Sequence, residues 1–214
     1  MHKWLLIALI FSLNSYAEIG EISELRGNGE VLRKDQTDKL LAKTALDIFS
    51  YDDVRTGNGR IGITFLDSTV VRLTEHSKII IDEYIYDPDP SKSKMALKMA
   101  SGTARFITGA LDKENISIET PSASIFIRGT DFTTTVDELG RSLVILLPSP
   151  DGSSSGEITV ETMAGIEVLN QPFQATMVSM SESPPTKPVT LTNMTLGFID
   201  NLLIVAPPDE VQQA

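Results

Sequence analysis

The sequence contains no cysteine. That excludes disulfides, thiolate catalysis and cysteine-ligated zinc, so stability must rest on packing even in an exported protein. Histidine is nearly as scarce, with 2 in the chain, one of them His2 at the extreme N-terminus. His76 therefore stands alone for imidazole chemistry, and one ring cannot build a multi-histidine zinc site. Basic charge is also short, with 18 Lys and Arg against 29 Asp and Glu and a net charge of −11. A nucleic-acid or anionic-lipid partner is not expected, because phosphates need Lys and Arg to displace their counterions. Long apolar runs are missing too: the longest, near the N-terminus, falls short of the roughly twenty residues of a spanning helix.

What is present begins with "MHKWLLIALIFSLNSYA". Lys3 is a positive leader, residues 4–13 are apolar, and Ser15 and Ala17 place small residues three and one before a cut. An export signal over 1–17, cleaved after Ala17, is the expected reading, and with it a periplasmic or secreted location. Removing those 17 of 214 residues leaves 197, enough for one main domain with a real core.

From 18 to 180 the pattern is one of short strands, β-branched and alternating, separated by Gly, Asp, Asn and Ser. "RIGITFL" puts Ile61, Ile63 and Phe65 on one face, and "TVVRL" follows after a two-residue spacer, Asp67-Ser68, of hairpin length. Further strands are expected at 78–82, 96–99, 104–107, 116–119, 124–128, 132–136, 143–147, 158–162 and 174–179. The fold class is thus all-β, a solenoid-like or sandwich-like stack of short strands, since nothing long and helical lies between them. Residues 39–49, "KLLAKTALDIF", are a place for one turn of helix or for a loop entering a strand. The prolines of "SESPPTKP" mark 181–190 as an extended linker, and 191–214 is expected to be a short apolar appendage, amphipathic or helical, that docks on the body or on a partner, with a flexible tail as the alternative.

Few residues carry readable chemistry. "GSSSG" over 152–156 matches Gly-x-Ser-x-Gly with Ser154 in the nucleophile's place, but that motif needs a strand-to-helix elbow and a histidine base, and a plain loop is the better reading. His76 beside Glu75 reads as a solvated turn histidine. Asp87 and Asp89, and Asp151 with Glu157, lack the repeated acid pattern of a calcium loop and read as turns. No cofactor or metal is expected. Asn115 and Asn193 open Asn-x-Ser/Thr triplets that matter only in a secreted eukaryotic protein.

The most specific stretch is "IETPSASIFIRGTDF", 118–132. Pro121 holds Thr120 extended, where a strand can begin. Gly129 suits a left-handed corner, Arg128 and Asp131 can pair across it, and the Thr130 hydroxyl can cap a free backbone group. Thr120, Pro121, Arg128, Gly129, Thr130 and Asp131 therefore form a structural corner, with Arg128 left as the residue for ligand recognition.

"DDVRTGNGRIGITFLDSTVVRLTEHSKIIID", "ALKMASGTARF" and "IETPSASIFIRGTDFTT" resemble the successive motifs of the FecR domain family, over about 48–160. The family pattern has Gly after Asp67, where this chain has Ser68, so that turn is expected to differ; "PSPDGSSSG" looks like an insertion. The resemblance implies an all-β domain outside the cytoplasmic membrane, which in well-known members relays iron-siderophore signals to a sigma-factor regulator. An export signal leading straight into the domain departs from that layout, without the cytoplasmic anti-sigma part or an internal spanning helix, so iron signalling is not carried over. The expected function is a non-enzymatic interaction or scaffold module of the bacterial cell envelope, bound to an envelope protein or glycan. The alternative is a glycan hydrolase working through a carboxylate pair.

Overall fold

The computed structural model describes residues 17–87, 89–110 and 115–192. The export signal, save its last residue Ala17, and all of the C-terminal appendage beyond Thr192 lie outside them. The fold is all-β, with strands in chain order β1 (Glu18–Leu32), β2 (Lys39–Leu41), β3 (Asp47–Phe49), β4 (Asp53–Phe65), β5 (Val70–Leu73), β6 (Lys78–Ile85), β7 (Lys94–Ile107), β8 (Ile116–Glu119), β9 (Ser124–Arg128), β10 (Asp131–Val136), β11 (Ser142–Leu146), β12 (Glu157–Thr162), β13 (Gly165–Leu169), β14 (Gln174–Val178) and β15 (Val189–Thr190). No helix among the described residues is long and apolar enough to cross a membrane.

Three strands are long enough to serve two sheets each. The first half of β7 pairs with β6 and β8, and its second half with β5 and β10. β4 likewise pairs with β6 at its start and β5 at its end, while β1 follows β4 along its whole length. The result is sheet I, in order β13-β12-β9-β8-β7-β6-β4-β1-β2, and sheet II, in order β3-β1-β4-β5-β7-β10-β11-β14-β15. All neighbours are antiparallel except β7 and β8.

The bend in β7 is written in its side chains. Met95, Leu97 and Met99 are buried in the first half, Ala104 and Phe106 in the second, so the inward set changes from odd to even residues. Strand side chains alternate with period two, and only an extra residue can shift that phase. The register shift opposite Lys78 supplies it, and Gly102 with φ +86° makes the turn. Both sheets then face one continuous apolar core, in which Phe65 of sheet II stacks on Tyr84 of sheet I at 5.4 Å. Burying each such aromatic or aliphatic side chain contributes about 1.5–3 kcal/mol. This is the sandwich-like arrangement.

Several local expectations change. The stretches 96–99 and 104–107 are one strand, and 39–49 holds β2 and β3, both paired to β1, because strand pairing overrides a weak helical propensity. The β4–β5 connection is a three-residue loop, Leu66-Asp67-Ser68, closed by Ser68 N–H to the Phe65 carbonyl and Phe65 N–H to the Thr69 carbonyl. Ser68 takes φ +69°, the left-handed conformation Gly would supply there, so the serine keeps the glycine's geometry. The 181–190 stretch is not a free linker: Thr186 N–H donates to the Met177 carbonyl at 2.9 Å, and Val189–Thr190 join sheet II as β15.

Candidate functional site

The Thr-Pro step does not begin a strand. It forms the tight turn between β8 and β9, where the Thr120 hydroxyl accepts from Ala123 N–H at 2.9 Å and donates to the Ala123 carbonyl at 3.0 Å. The same oxygen accepts from Ser142 Oγ at 2.8 Å, and Ser142 Oγ lies 2.7 Å from Ser122 Oγ. Each hydroxyl has one proton to give. The only consistent chain therefore runs Ser122 to Ser142 to Thr120 to the Ala123 carbonyl. Ser142 opens β11 in sheet II, so this relay, with Ser122 and Ser142 buried and Thr120 partly so, ties a sheet I turn to the opposite sheet.

The Arg-Gly-Thr corner is where the chain leaves sheet I for sheet II, because β9 pairs with β8 and β12 while β10 pairs with β7 and β11. Gly129 takes the left-handed φ of 55° expected of it. Two expected partners differ. Asp131 is held by Arg105, whose Nε and Nη2 donate to its two carboxylate oxygens at 2.9 and 2.7 Å, a bidentate pair with both side chains mostly buried. Arg128 instead projects outward opposite Glu157, 4.0 Å away, because the alternation of β9 turns it from the core. Nor does the Thr130 hydroxyl cap anything: it is buried without a hydrogen-bond partner among the described residues. Thr108 does the capping, its Oγ1 accepting from Thr130 N–H at 2.9 Å and donating to the Thr130 carbonyl at 3.1 Å.

The serine-rich loop completes the corner. Ser155 Oγ accepts from Asp131 N–H at 3.0 Å and donates to the Leu147 carbonyl at 2.7 Å, and the backbone of Gly156 lies against the carbonyls of Arg128 and Gly129 with no room for a Cβ. Ser154 Oγ donates to the Gly156 carbonyl at 2.8 Å, and strand β12 follows where a nucleophile elbow needs a helix. Asp89 and Asp151 accept from Ser91 and Ser153 two residues on, capping their own turns. Among the described residues no three His, Asp or Glu side chains are grouped to hold a metal.

One buried acid gives no sequence signal beyond its place in a match. Asp52, 1% exposed, accepts from Arg33 at 2.6 Å and from Phe49 N–H at 2.9 Å. Burial nevertheless pushes its carboxyl up to about 6, outweighing both donors, and its other oxygen has no partner among the described residues.

Open grooves indent the surface formed by the described residues. One, of about 270 Å³, runs over sheet II beside Arg60, Arg72, Arg105 and Thr133; a second, of about 480 Å³, lies beside His76, Asp137 and Arg141. The third, of about 420 Å³, brings Glu119 and Glu161 together beside Thr120 and Pro121. The first is smaller than an ordinary ligand pocket, and the other two fall in the lower half of the range of about 300–1,000 Å³. Glu119 and Glu161 sit on either side of Ser124 in register, two strand steps or about 10 Å apart at their backbones. This is the geometry on which a carboxylate mechanism would have to rest, and Glu119 already accepts from Ser124 Oγ at 3.0 Å.

The apolar surface is gathered elsewhere. On the outer face of sheet I, Phe126, Thr159 and Val168 are in register across β9, β12 and β13, with Ile166 one row on. Phe126, Ile166 and Val168 are 42, 56 and 39% exposed, a strip of large apolar side chains at the end of a sheet.

The family described as FecR protein matches residues 52–148, from the start of β4 to just past β11. The match is shorter than the expected 48–160 and stops before the serine-rich loop. No curated protein matches the sequence. A crystal structure of a candidate anti-sigma factor from Parabacteroides distasonis is similar in fold, with a TM-score of 0.53 and 16% identity over 70% of this chain and 64% of that one. A second crystal structure under the same description gives 0.49 and 16% over 64% and 60%. This chain therefore spans less than two-thirds of the length of those structures. The Thr-Pro turn, the Arg-Gly-Thr crossover and strands β4 to β11 all lie inside this match to the FecR family, which covers a little under half of the chain.

Proposed function

We propose that this protein is an exported interaction module of the bacterial cell envelope, which binds a partner protein and catalyses no reaction. The observation that carries this reading is the division of labour on the surface. The motif residues Thr120, Arg105 and Asp131, with Ser155 of the serine-rich loop, are spent on holding the two sheets together, whereas the apolar strip of Phe126, Ile166 and Val168 stays exposed. Apolar patches on a sheet face are where proteins dock. The "MHKWLLIALIFSLNSYA" leader supports export, and the net charge of −11 disfavours nucleic acid.

A photo-crosslinking residue at Ile166 tests this in cells. The expected result is one dominant protein adduct that disappears when Val168→Lys is added, while the folded stability is unchanged. Equal adducts from Ile166 and from an unrelated exposed position such as Leu139 would show no docking at the strip. The glycan-hydrolase alternative has its own readout: purified protein releasing soluble sugar from isolated envelope glycan, with loss in both Glu119→Gln and Glu161→Gln, would replace binding with catalysis.

A further inference from the structure

Among the described residues, three of the four strands that end the two sheets are very short. β2 and β3 have three residues each and β15 has two, whereas β13 has five. Short end strands offer a neighbour little to pair with. β13 is the exception, and its sequence, "GIEVL", holds neither Pro nor Lys to blunt the edge.

The hairpin fixes which backbone groups face outward. β12 and β13 are joined by two residues, Met163 and Ala164, so Thr162 and Gly165 exchange both ladder bonds, as do Val160 with Glu167 and Ile158 with Leu169 at every second pair. The N–H and C=O of Ile166 and Val168 therefore point away from β12, and neither residue has a backbone partner there among the described residues. On the outer face Val168 is in register with Thr159 and Phe126, and Ile166 with the exposed Glu161, then Ser124 and Glu119.

The edge is also braced from the core side. Glu167 faces inward in register with Val160, Ile125 and Ile118, and Lys187 Nζ donates to its carboxylate at 2.7 Å. An inward charge ordinarily protects an edge strand, but this one is already matched within the chain. Pro184 lies against Gly165, and Met163 N–H donates to the Ser181 carbonyl at 3.0 Å. An edge fixed in this way costs little further ordering when a strand is added to it.

We propose that β13 accepts an extended segment of the partner protein as an added antiparallel strand, a mode of binding that rests on the reading of the strip as a docking face. The segment exchanges backbone hydrogen bonds with Ile166 and Val168. Running antiparallel, it meets Val168 first, where an apolar side chain joins Val168 and Phe126. Two residues later it meets Ile166, where a Lys or Arg lays its stem on Ile166 and its charge beside Glu161. That carboxylate belongs to a strand two steps away, about 10 Å between backbones, which a long basic side chain crosses over an apolar one. The recognised segment thus reads apolar, any residue, basic, and its positive charge suits a chain of net charge −11. A second copy fits worse, because pairing Ile166 of each copy with Val168 of the other sets the two Glu167 carboxylates directly opposite.

The probe is the peptide Thr-Val-Thr-Ile-Thr-Lys-Thr-Val-Thr, added to the isotope-labelled full chain. Amide exchange at Ile166 and Val168 should slow about tenfold, with Leu40 and Leu41 of β2 unchanged. Slowing at β2 as well, or none at Ile166 and Val168, overturns the proposal. The same peptide methylated on the backbone nitrogens of its Ile and Lys keeps every side chain and should bind about tenfold more weakly; equal binding overturns strand addition. Glu in place of the peptide's Lys should also cost about tenfold, and Glu161→Lys should reverse that preference, whereas an unchanged preference removes Glu161 from recognition. Slow exchange at Ile166 and Val168 that grows with protein concentration in the absence of peptide would make a second copy the occupant and overturn the proposal. An Ile166 adduct in cells without peptide protection of these amides overturns strand addition and leaves the docking face standing, and loss of both removes the face itself.

Discussion

Two seams join the sheets of this domain, and they are made of different chemistry. At the Thr-Pro turn the link is neutral, a relay of hydroxyls from Ser122 through Ser142 to Thr120. At the Arg-Gly-Thr crossover it is ionic, Arg105 on Asp131, with Ser155 and Thr108 fastening the backbone. The lesson lies in what each seam leaves behind when cut. A hydroxyl removed from a relay leaves a neutral group short of one bond. An arginine removed from a mostly buried bidentate pair leaves a carboxylate with nothing to offset its desolvation.

The largest expected effect follows from that contrast. Arg105→Ala should destabilise the domain by about 3 kcal/mol, read as a lowered midpoint in urea unfolding, and a loss equal to that of a hydroxyl deletion would erase the distinction between the seams. Asp52 is the acid that sharpens it, since burial outweighs its partner Arg33 and raises its carboxyl above the ordinary range. A folded-state value of about 6, against 3.8 unexposed to the fold, means the neutral form is favoured on folding. Its stabilisation is therefore complete below pH 4 and lost as the pH rises through 6, by up to about 3 kcal/mol. Asp52→Asn should remove that loss, measured as a flatter plot of unfolding free energy between pH 4 and 7.

Smaller effects follow in order. Gly156→Ala adds a methyl where the Arg128 and Gly129 carbonyls leave no space, and should lower stability by about 1–3 kcal/mol. Ser142→Ala breaks the neutral seam and should give about 1–2 kcal/mol, with the thermal midpoint as the measurement. Arg128→Ala, at an exposed position beside Glu157, should change stability by less than about 0.5 kcal/mol. A large loss there would restore Arg128 to the corner.

Much of the sandwich is legible in the sequence. Strands β8 and β9 fall at the residues where β-branched alternation places them, and Ile61, Ile63 and Phe65 are buried together as their spacing requires. The left-handed Gly129 is equally readable, because few residues tolerate that conformation. What eludes a linear reading are partners far apart in the chain. Arg105 and Asp131 are 26 residues apart, and nothing near Asp131 names Arg105 over the adjacent Arg128. Strand alternation decides between them only once β7 and β10 are known to be neighbours.

The sequence by itself determined the all-β class, the resemblance to the FecR family over residues 52–148, the absence of cysteine and the left-handed corner at Gly129. Those are local or compositional properties, fixed by which residues can alternate, bend or ionise. Only the tertiary structure decided that β7 serves two sheets, that a serine-rich loop fastens the crossover, and that Phe126, Ile166 and Val168 share one face. The reason is physical: strand pairing is set by long-range register, so a side chain's electrostatic surroundings exist only after distant strands have met.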